Sequence, residues 1–278
     1  NDELWNNDIT GMLLVNEQSG FNYMTQRGPV YWSEEENFEK HYFTPSKKIF
    51  SDKISKFIVK CDELTNGDII SRVSRIFSHI YVDEVQDLAG YDLELIKLLF
   101  KSSSNILLVG DPRQVTYLTH HSTKNRKYQD GKIKDFLIEN CKSLLSEDSI
   151  DENTLKNSHR NNKEICDYAS KLFDGIYEKS EPCTCYSCRE QIVEHVGVFI
   201  LRTSDVADYL KKYKPVQLRW NRLTIVNQDY SVYNFGESKG QTHNRVLIYP
   251  TPNMIEWIKD NSFDFTKIVR GKIEKIVE

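Results

Sequence analysis

The feature that most constrains this chain is an apolar run that stops on two acids: Ile80-Tyr81-Val82-Asp83-Glu84-Val85-Gln86-Asp87. A short β-branched and aromatic run bounded by polar residues predicts a strand over 79–82. Two carboxylates then follow at its carboxyl end, which is where open α/β sheets bind ligands. A second run, Ile106-Leu107-Leu108-Val109, opens into Gly110-Asp111-Pro112-Arg113-Gln114. A helical pattern at about 91–101 separates the two, so they predict parallel strands joined by a crossover. Parallel strands need helices on both faces, so the expected fold is α/β with parallel, doubly covered sheets.

The rest of the chain repeats this alternation. Residues 1–50 are aromatic and turn-rich, broken at Gly28-Pro29 and Thr44-Pro45, and show no clear period. Helical patterns follow at 52–64 and 68–77, with Asn66-Gly67 between them, and another near 132–145. After a polar stretch at 146–160 the pattern restarts, with helices predicted at 163–174, 204–212 and 253–259. Strands are predicted near 196–201, 223–227 and 245–249. The 278 residues are enough for two lobes, and the expected division is 1–150 and 151–278.

Composition excludes some classes. Apolar residues at 39% support a packed core rather than a disordered chain. No apolar run reaches the length of a membrane span, and no secretory segment opens the chain, so a cytoplasmic protein without a membrane partner is expected. The net charge of −4 is uneven, because residues 200–278 hold thirteen Lys or Arg against nine Asp or Glu. That surplus fits a polyanion partner and fits an ordinary solvated surface equally well. Cys61, Cys141 and Cys166 are dispersed among apolar or helical residues and read as buried free thiols.

The strand ends suggest phosphoryl chemistry. Asp83 can hold Mg²⁺ through its water shell, and Glu84 can orient or deprotonate an attacking water. An isolated Asp-Glu pair would read as a solvated turn with Asp87 capping the next helix. The second strand end changes that balance. Gly110 permits a tight turn there, and the Gln114 amide can both donate and accept near a γ-phosphate. Further on, Asn157-Ser158-His159-Arg160-Asn161-Asn162 opens a helix, and Arg160 has the reach of an arginine finger. Gly236-Glu237-Ser238-Lys239-Gly240 then precedes the run Arg245–Tyr249.

These four blocks, in this order, resemble the UvrD/Rep-type superfamily 1 helicases. Val82–Asp87 looks like their Walker B motif, and Gly110–Gln114, continuing to Tyr117, like their third motif. Ser158-His159-Arg160 resembles the fourth, and Ser238-Lys239-Gly240 with Arg245-Val246-Leu247-Ile248 the fifth. The resemblance implies two RecA-like lobes, the N-terminal one incomplete here, with ATP bound between them and single-stranded nucleic acid, expected to be DNA, across their tops. It makes Asp83 the Mg²⁺ ligand, Glu84 the catalytic base and Arg160 the finger. Gln86 and Gln114 would couple nucleotide to nucleic acid, with Asp111 beside them. Lys239 and Gly240 would serve the phosphates, and Tyr117 and Ser238 the nucleic acid.

The departures are as informative. No G-x-x-x-x-G-K-[ST] phosphate loop occurs, nor the closing Thr-Arg-Ala motif of the family. The expectation is a central piece of a longer polypeptide, which alone binds ATP poorly and hydrolyses none. Thr119 and His120 stand where the family has a stacking aromatic and an Arg, and Thr242 replaces an acidic ribose contact. Stacking is worth roughly 1–3 kcal/mol per base, so a weakened strand grip is expected. Only about 75 residues separate the fourth and fifth blocks. That fits a compact form of the kind found beside OLD-type nucleases in phage defence. A different class of function, a helicase-fold scaffold without catalysis that binds nucleic acid or protein, is the alternative.

Cys183-Thr184-Cys185-Tyr186-Ser187-Cys188 is the remaining motif. Three thiolates this close can hold Zn²⁺, with His195 the nearest fourth ligand in sequence. The C-x-C-x-x-C spacing is not a paired C-x-x-C knuckle, so a loop of free thiols is the simpler reading.

Overall fold

The computed structural model describes residues 9–115, 119, 123–189 and 195–260. The chain divides into two compact units, Asn1–Ile150 and Asp151–Glu278. Each mixes helices with short, mostly parallel ladders, so the fold class is α/β.

In the first unit β1 (Gly11–Leu13) pairs in parallel with β4 (Lys48–Phe50), and β2 (Phe21–Thr25) and β3 (Gly28–Tyr31) form an antiparallel hairpin. Helices α1 (Phe38–Tyr42), α2 (Ile54–Leu64) and α3 (Asp68–Ile76) lead into β5 (His79–Val82). The 3-10 turn Val85–Asp87 and α4 (Tyr91–Phe100) then cross over to β6 (Asn105–Leu108). β5 and β6 run parallel with Ile80 opposite Ile106 and Val82 opposite Leu108. Those four side chains pack on a core of Ile70, Leu93, Ile96, Leu99 and Phe136, the last on α5 (Ile133–Asn140). Alternation puts the intervening residues on the other face. There Tyr81 is 70% and Leu107 52% exposed, so this sheet is covered on one face among the described residues, not on two as expected. The continuous apolar run hid a period of two.

A smaller aromatic core gathers Tyr42, Phe43, Ile49 and Phe57 below the first ladder. Beside it His41 is buried, its Nδ1 donating to the Trp32 carbonyl at 2.7 Å. Burial pushes its pKa down, and nearby Lys56 and Lys53 add to that.

In the second unit β7 (Asn157–Ser158) pairs in parallel with β8 (Glu181–Pro182). Helices α6 (Lys163–Ser170) and α7 (Tyr186–Arg189) follow those two strands in turn. Beyond them α8 (Val206–Tyr213) precedes β9 (Val216–Arg219), the centre of a parallel sheet ordered β10 (Val232–Asn234), β9, β11 (Val246–Ile248). Helix α9 (Pro252–Asp260) supplies Met254 and Trp257 to a core with Leu172, Phe173, Leu218 and Phe235.

Two predicted strands are absent. Residues 196–201 and 223–227 are irregular, with Ile200 86% and Ile225 92% exposed. The strands that form, β9 and β10, carry polar residues that made them look like loop. Gln217 shows why: it is fully buried, its amide donates to the Asn227 carbonyl at 2.7 Å, and it accepts from the Tyr249 hydroxyl at 2.8 Å. A buried amide paired on both sides carries little desolvation penalty.

Cys141 and Cys166 are buried thiols outside any disulfide, and Cys61 is half-buried. Burial raises the Cys61 and Cys141 pKa values, which keeps them inert. Among the described residues no helix is long and apolar enough to cross a membrane.

Candidate functional site

The β5–β6 ladder continues past the strands and brings the two acidic turns together. Val109 N–H donates to the Val82 carbonyl at 2.8 Å, and Val85 N–H to the Val109 carbonyl at 3.1 Å. Between these bonds lie Asp83, exposed, and Glu84, half-buried. Glu84 has φ 55° and ψ 36°, the left-handed region that a side chain with a Cβ enters at a cost of about 1–2 kcal/mol. That twist swings its carboxylate off the strand direction, where it accepts from the Gln86 side-chain amide.

Gln86 is the hinge pin of the site. It is 2% exposed, donates to Glu84, and accepts from the Asp111 backbone N–H at 3.1 Å through Oε1. One amide therefore ties the acidic turn after β5 to the turn after β6. Gly110 makes room for it: a Cβ there would collide with Gln86 Oε1 and stand 2.9 Å from Val85 Cγ2. The glycine is needed for close approach, since its φ is not in the left-handed region, and not for the tight turn expected from sequence.

Asp111 organises its own loop. Its carboxylate takes a two-pronged clamp from Arg113, with Nε to Oδ1 at 2.8 Å and Nη2 to Oδ2 at 2.6 Å. The Gln114 amide donates to the same carboxylate at 3.2 Å, and the Gln114 N–H to the Asp111 carbonyl at 2.9 Å. Asp83, Glu84, Gln86, Asp111 and Gln114 are thus gathered on adjacent strand ends. Tyr117 and His120 lie outside the described residues.

Thr119 was legible only as a lost aromatic, yet it has a part here. Its N–H and hydroxyl donate to the Asp87 carbonyl at 3.1 and 3.0 Å, and the hydroxyl also reaches Asp92. Asp92 accepts from the Ser55 hydroxyl as well, so α2, α4 and both motif loops share one network. A further buried acid, Asp52, is not legible in the sequence because its main partner, Ser19, lies 33 residues away. Burial pushes its carboxyl up, but the Ser19 hydroxyl and N–H, with Lys53 beside it, outweigh that and hold it below its ordinary value.

In the second unit the fourth block straddles the end of β7. Arg160 is exposed, and its N–H and that of Asn161 donate to the Ser158 hydroxyl at 3.4 and 3.0 Å. Asn162 caps α6 by accepting from Ile165 N–H at 2.9 Å. The fifth block forms the 3-10 turn Phe235–Ser238 after β10, where the Ser238 hydroxyl donates to the Phe235 carbonyl at 2.9 Å. Half-buried Lys239 follows, then Gly240 at φ 78°, a turn that needs glycine.

The cysteine loop differs from expectation in its histidine. His159, Cys183 and Cys185 come together, their ligand atoms all within 4.8 Å of one another. His195 is occupied elsewhere, stacked on Phe199 at 3.9 Å and on Tyr213 at 5.2 Å between ring centres. Helix α7 contains Cys188, whose side chain is outside the described residues.

The match to known proteins falls on the first of these sites. Residues 11–125 match the UvrD/REP helicase N-terminal domain family. One similar protein, "Probable DNA helicase II homolog" of Mycoplasma genitalium, is 38% identical over 82 residues, 29% of this chain and 11% of that protein. Another, "RecBCD enzyme subunit RecB" of Borreliella burgdorferi, is 23% identical over 112 residues, 40% of this chain and 9% of that protein. The chain spans about a tenth of the length of these relatives. Residues 11–125, which carry the first site, are thus similar to the N-terminal domain of UvrD-type helicases. The fourth and fifth blocks lie beyond the matched region.

Proposed function

We propose that this chain is part of an ATP-dependent DNA helicase or translocase. The observation that carries the reading is the Gln86 bridge. It locks a strand-end acid pair to the adjacent strand-end turn, inside the segment that matches the UvrD/REP family. In this reading the two units are RecA-like lobes. Asp83 holds Mg²⁺ on ATP, and Glu84 takes the proton of the attacking water. Gln86 and Gln114 feel both the nucleotide and the turn that leads to the nucleic-acid path. Asp111 keeps the Gln114 amide aimed, and Arg160 supplies the finger that stabilises transition-state charge. Lys239 and Gly240 lie by the phosphates, with Tyr117 and Ser238 toward single-stranded DNA.

The left-handed twist at Glu84 supports its assignment as base, because strained backbone tends to persist where function over-determines it. The test is Glu84→Gln in the full-length protein. Loss of the base with Asp83 intact should cut DNA-stimulated ATP hydrolysis by about 10²–10⁴ while nucleotide binding persists. Unchanged turnover would remove Glu84 from the reaction, whereas a parent protein with no turnover at all would favour the scaffold alternative.

A further inference from the structure

The geometry points to a structural zinc site built from His159, Cys183 and Cys185. Its first warrant is register. In the parallel β7–β8 ladder, Ser158 stands opposite Pro182, and the Cys183 N–H donates to the Ser158 carbonyl at 2.7 Å. The next residues along the two strands are His159 and Cys183, which the ladder sets side by side. Cys185 is two residues on, where its N–H donates to Cys183 Sγ at 3.3 Å and its sulfur joins the same cluster. Ligands far apart in sequence are thereby assembled by the fold, as a purpose-built site requires.

The second warrant is chemical. Two thiolates and an imidazole are a soft donor set that selects Zn²⁺ over Mg²⁺ or Ca²⁺. Tetrahedral zinc with bonds of about 2.0–2.3 Å sets its ligand atoms roughly 3.5–3.8 Å apart. The observed separations are all within 4.8 Å, so small side-chain movements would close the ligands onto an ion. Cys185 N–H donates to Cys183 Sγ at 3.3 Å, and the Ser187 hydroxyl lies 3.5 Å from Cys185 Sγ. On binding, each thiol passes its proton to solvent, so occupancy rises with pH. The fourth position on a tetrahedral ion is left to a further donor.

The site also has a structural task. The β7–β8 pairing is two residues long, too short to hold itself together. A zinc bound across its open end staples the chain immediately before Arg160 to the cysteine loop.

The experiment is metal analysis of the full-length protein after gel filtration, with His159→Ala, Cys185→Ser, His159→Cys and His195→Ala beside it. About one zinc per chain is expected in the parent and in His195→Ala, and under a fifth of that in His159→Ala and Cys185→Ser. His159→Cys guards against misfolding. It should keep the metal, and its Co²⁺ form should gain thiolate charge-transfer intensity over the parent. A parent protein with reduced thiols that takes up neither Zn²⁺ nor Co²⁺ overturns the proposal. So does zinc that survives His159→Ala, or that leaves with His195→Ala. Metal content is read without ATP or DNA, so its outcome is independent of the helicase reading.

Discussion

The acidic turn after β5 and the cysteine loop after β8 both follow short parallel strands, yet they are held in different ways. The first is fixed by protein alone: a buried amide, an arginine clamp and a threonine network satisfy nearly every polar group around it. The second has a two-residue ladder, and its ligand atoms converge on a point in space instead. The contrast teaches that preorganisation can come from side-chain hydrogen bonds or from a bound ion. In both, the decisive contact joins the ends of two parallel strands across a similar stretch of chain, 25 residues from Gln86 to Asp111 and 24 from His159 to Cys183.

The largest expected effect tests whether the second region serves the first in catalysis. Arg160 lies one residue past the proposed zinc ligand His159. Arginine fingers contribute about 10³–10⁵ to turnover, so Arg160→Ala in the full-length protein should lower the ATPase rate by at least about a hundredfold. Affinity for single-stranded DNA should change little, because the guanidinium meets charge that grows in the transition state. A rate within a few-fold of the parent would make Arg160 an ordinary surface residue. The two regions would then be unconnected in function.

A smaller effect separates the regions by packing. In Gly110→Ala the new methyl meets Gln86 Oε1 and stands 3.0 Å from the Val85 backbone nitrogen. Gln86 cannot retreat without dropping Glu84 or the Asp111 N–H. Overpacking of this kind costs about 1–3 kcal/mol, and basal ATPase should fall with it. Gly236 in the second unit is the control, with no heavy atom within 4 Å of a Cβ placed there. Gly236→Ala should stay within about 0.5 kcal/mol of the parent. Urea midpoints of the two variants check this, and equal midpoints would show that the Gln86 bridge has slack.

What could be read from sequence follows the same division. The β5 and β6 strands, the helices around them and the grouping of Asp83, Glu84 and Gln114 were all legible, because each motif is local and sits at a strand end. The bridging geometry of Gln86 was not, since it depends on the register between two strands. Thr119 showed as a missing aromatic, and its bonds to Asp87 and Asp92 are long-range. In the second unit the errors were larger. Apolar runs at 196–201 and 223–227 looked like strands but are exposed, while β9 hides a buried glutamine whose partners lie 10 and 32 residues away. His195 is the nearest histidine in sequence, but the β7–β8 ladder sets His159 beside the cysteines.

The smallest effect probes how much of the fourth block is held by ordinary helix chemistry. Asn162 has φ −79° and ψ 176°, outside the helix, and its side chain accepts from Ile165 N–H at 2.9 Å. It caps α6, an eight-residue helix that buries Cys166 and Ser170, two residues past Arg160. Removing an N-cap of this type costs typically about 1 kcal/mol, so Asn162→Ala should lower the urea midpoint of the second unit modestly. Asn162→Asp should restore it, because a carboxylate accepts the same bond and favours the positive end of the helix. Zinc content should stay unchanged in both, since the cap lies outside the ligand set. If Asn162→Ala also expelled the metal, the cap and the His159 staple would be one cooperative element, and the second region would be held as tightly as the first.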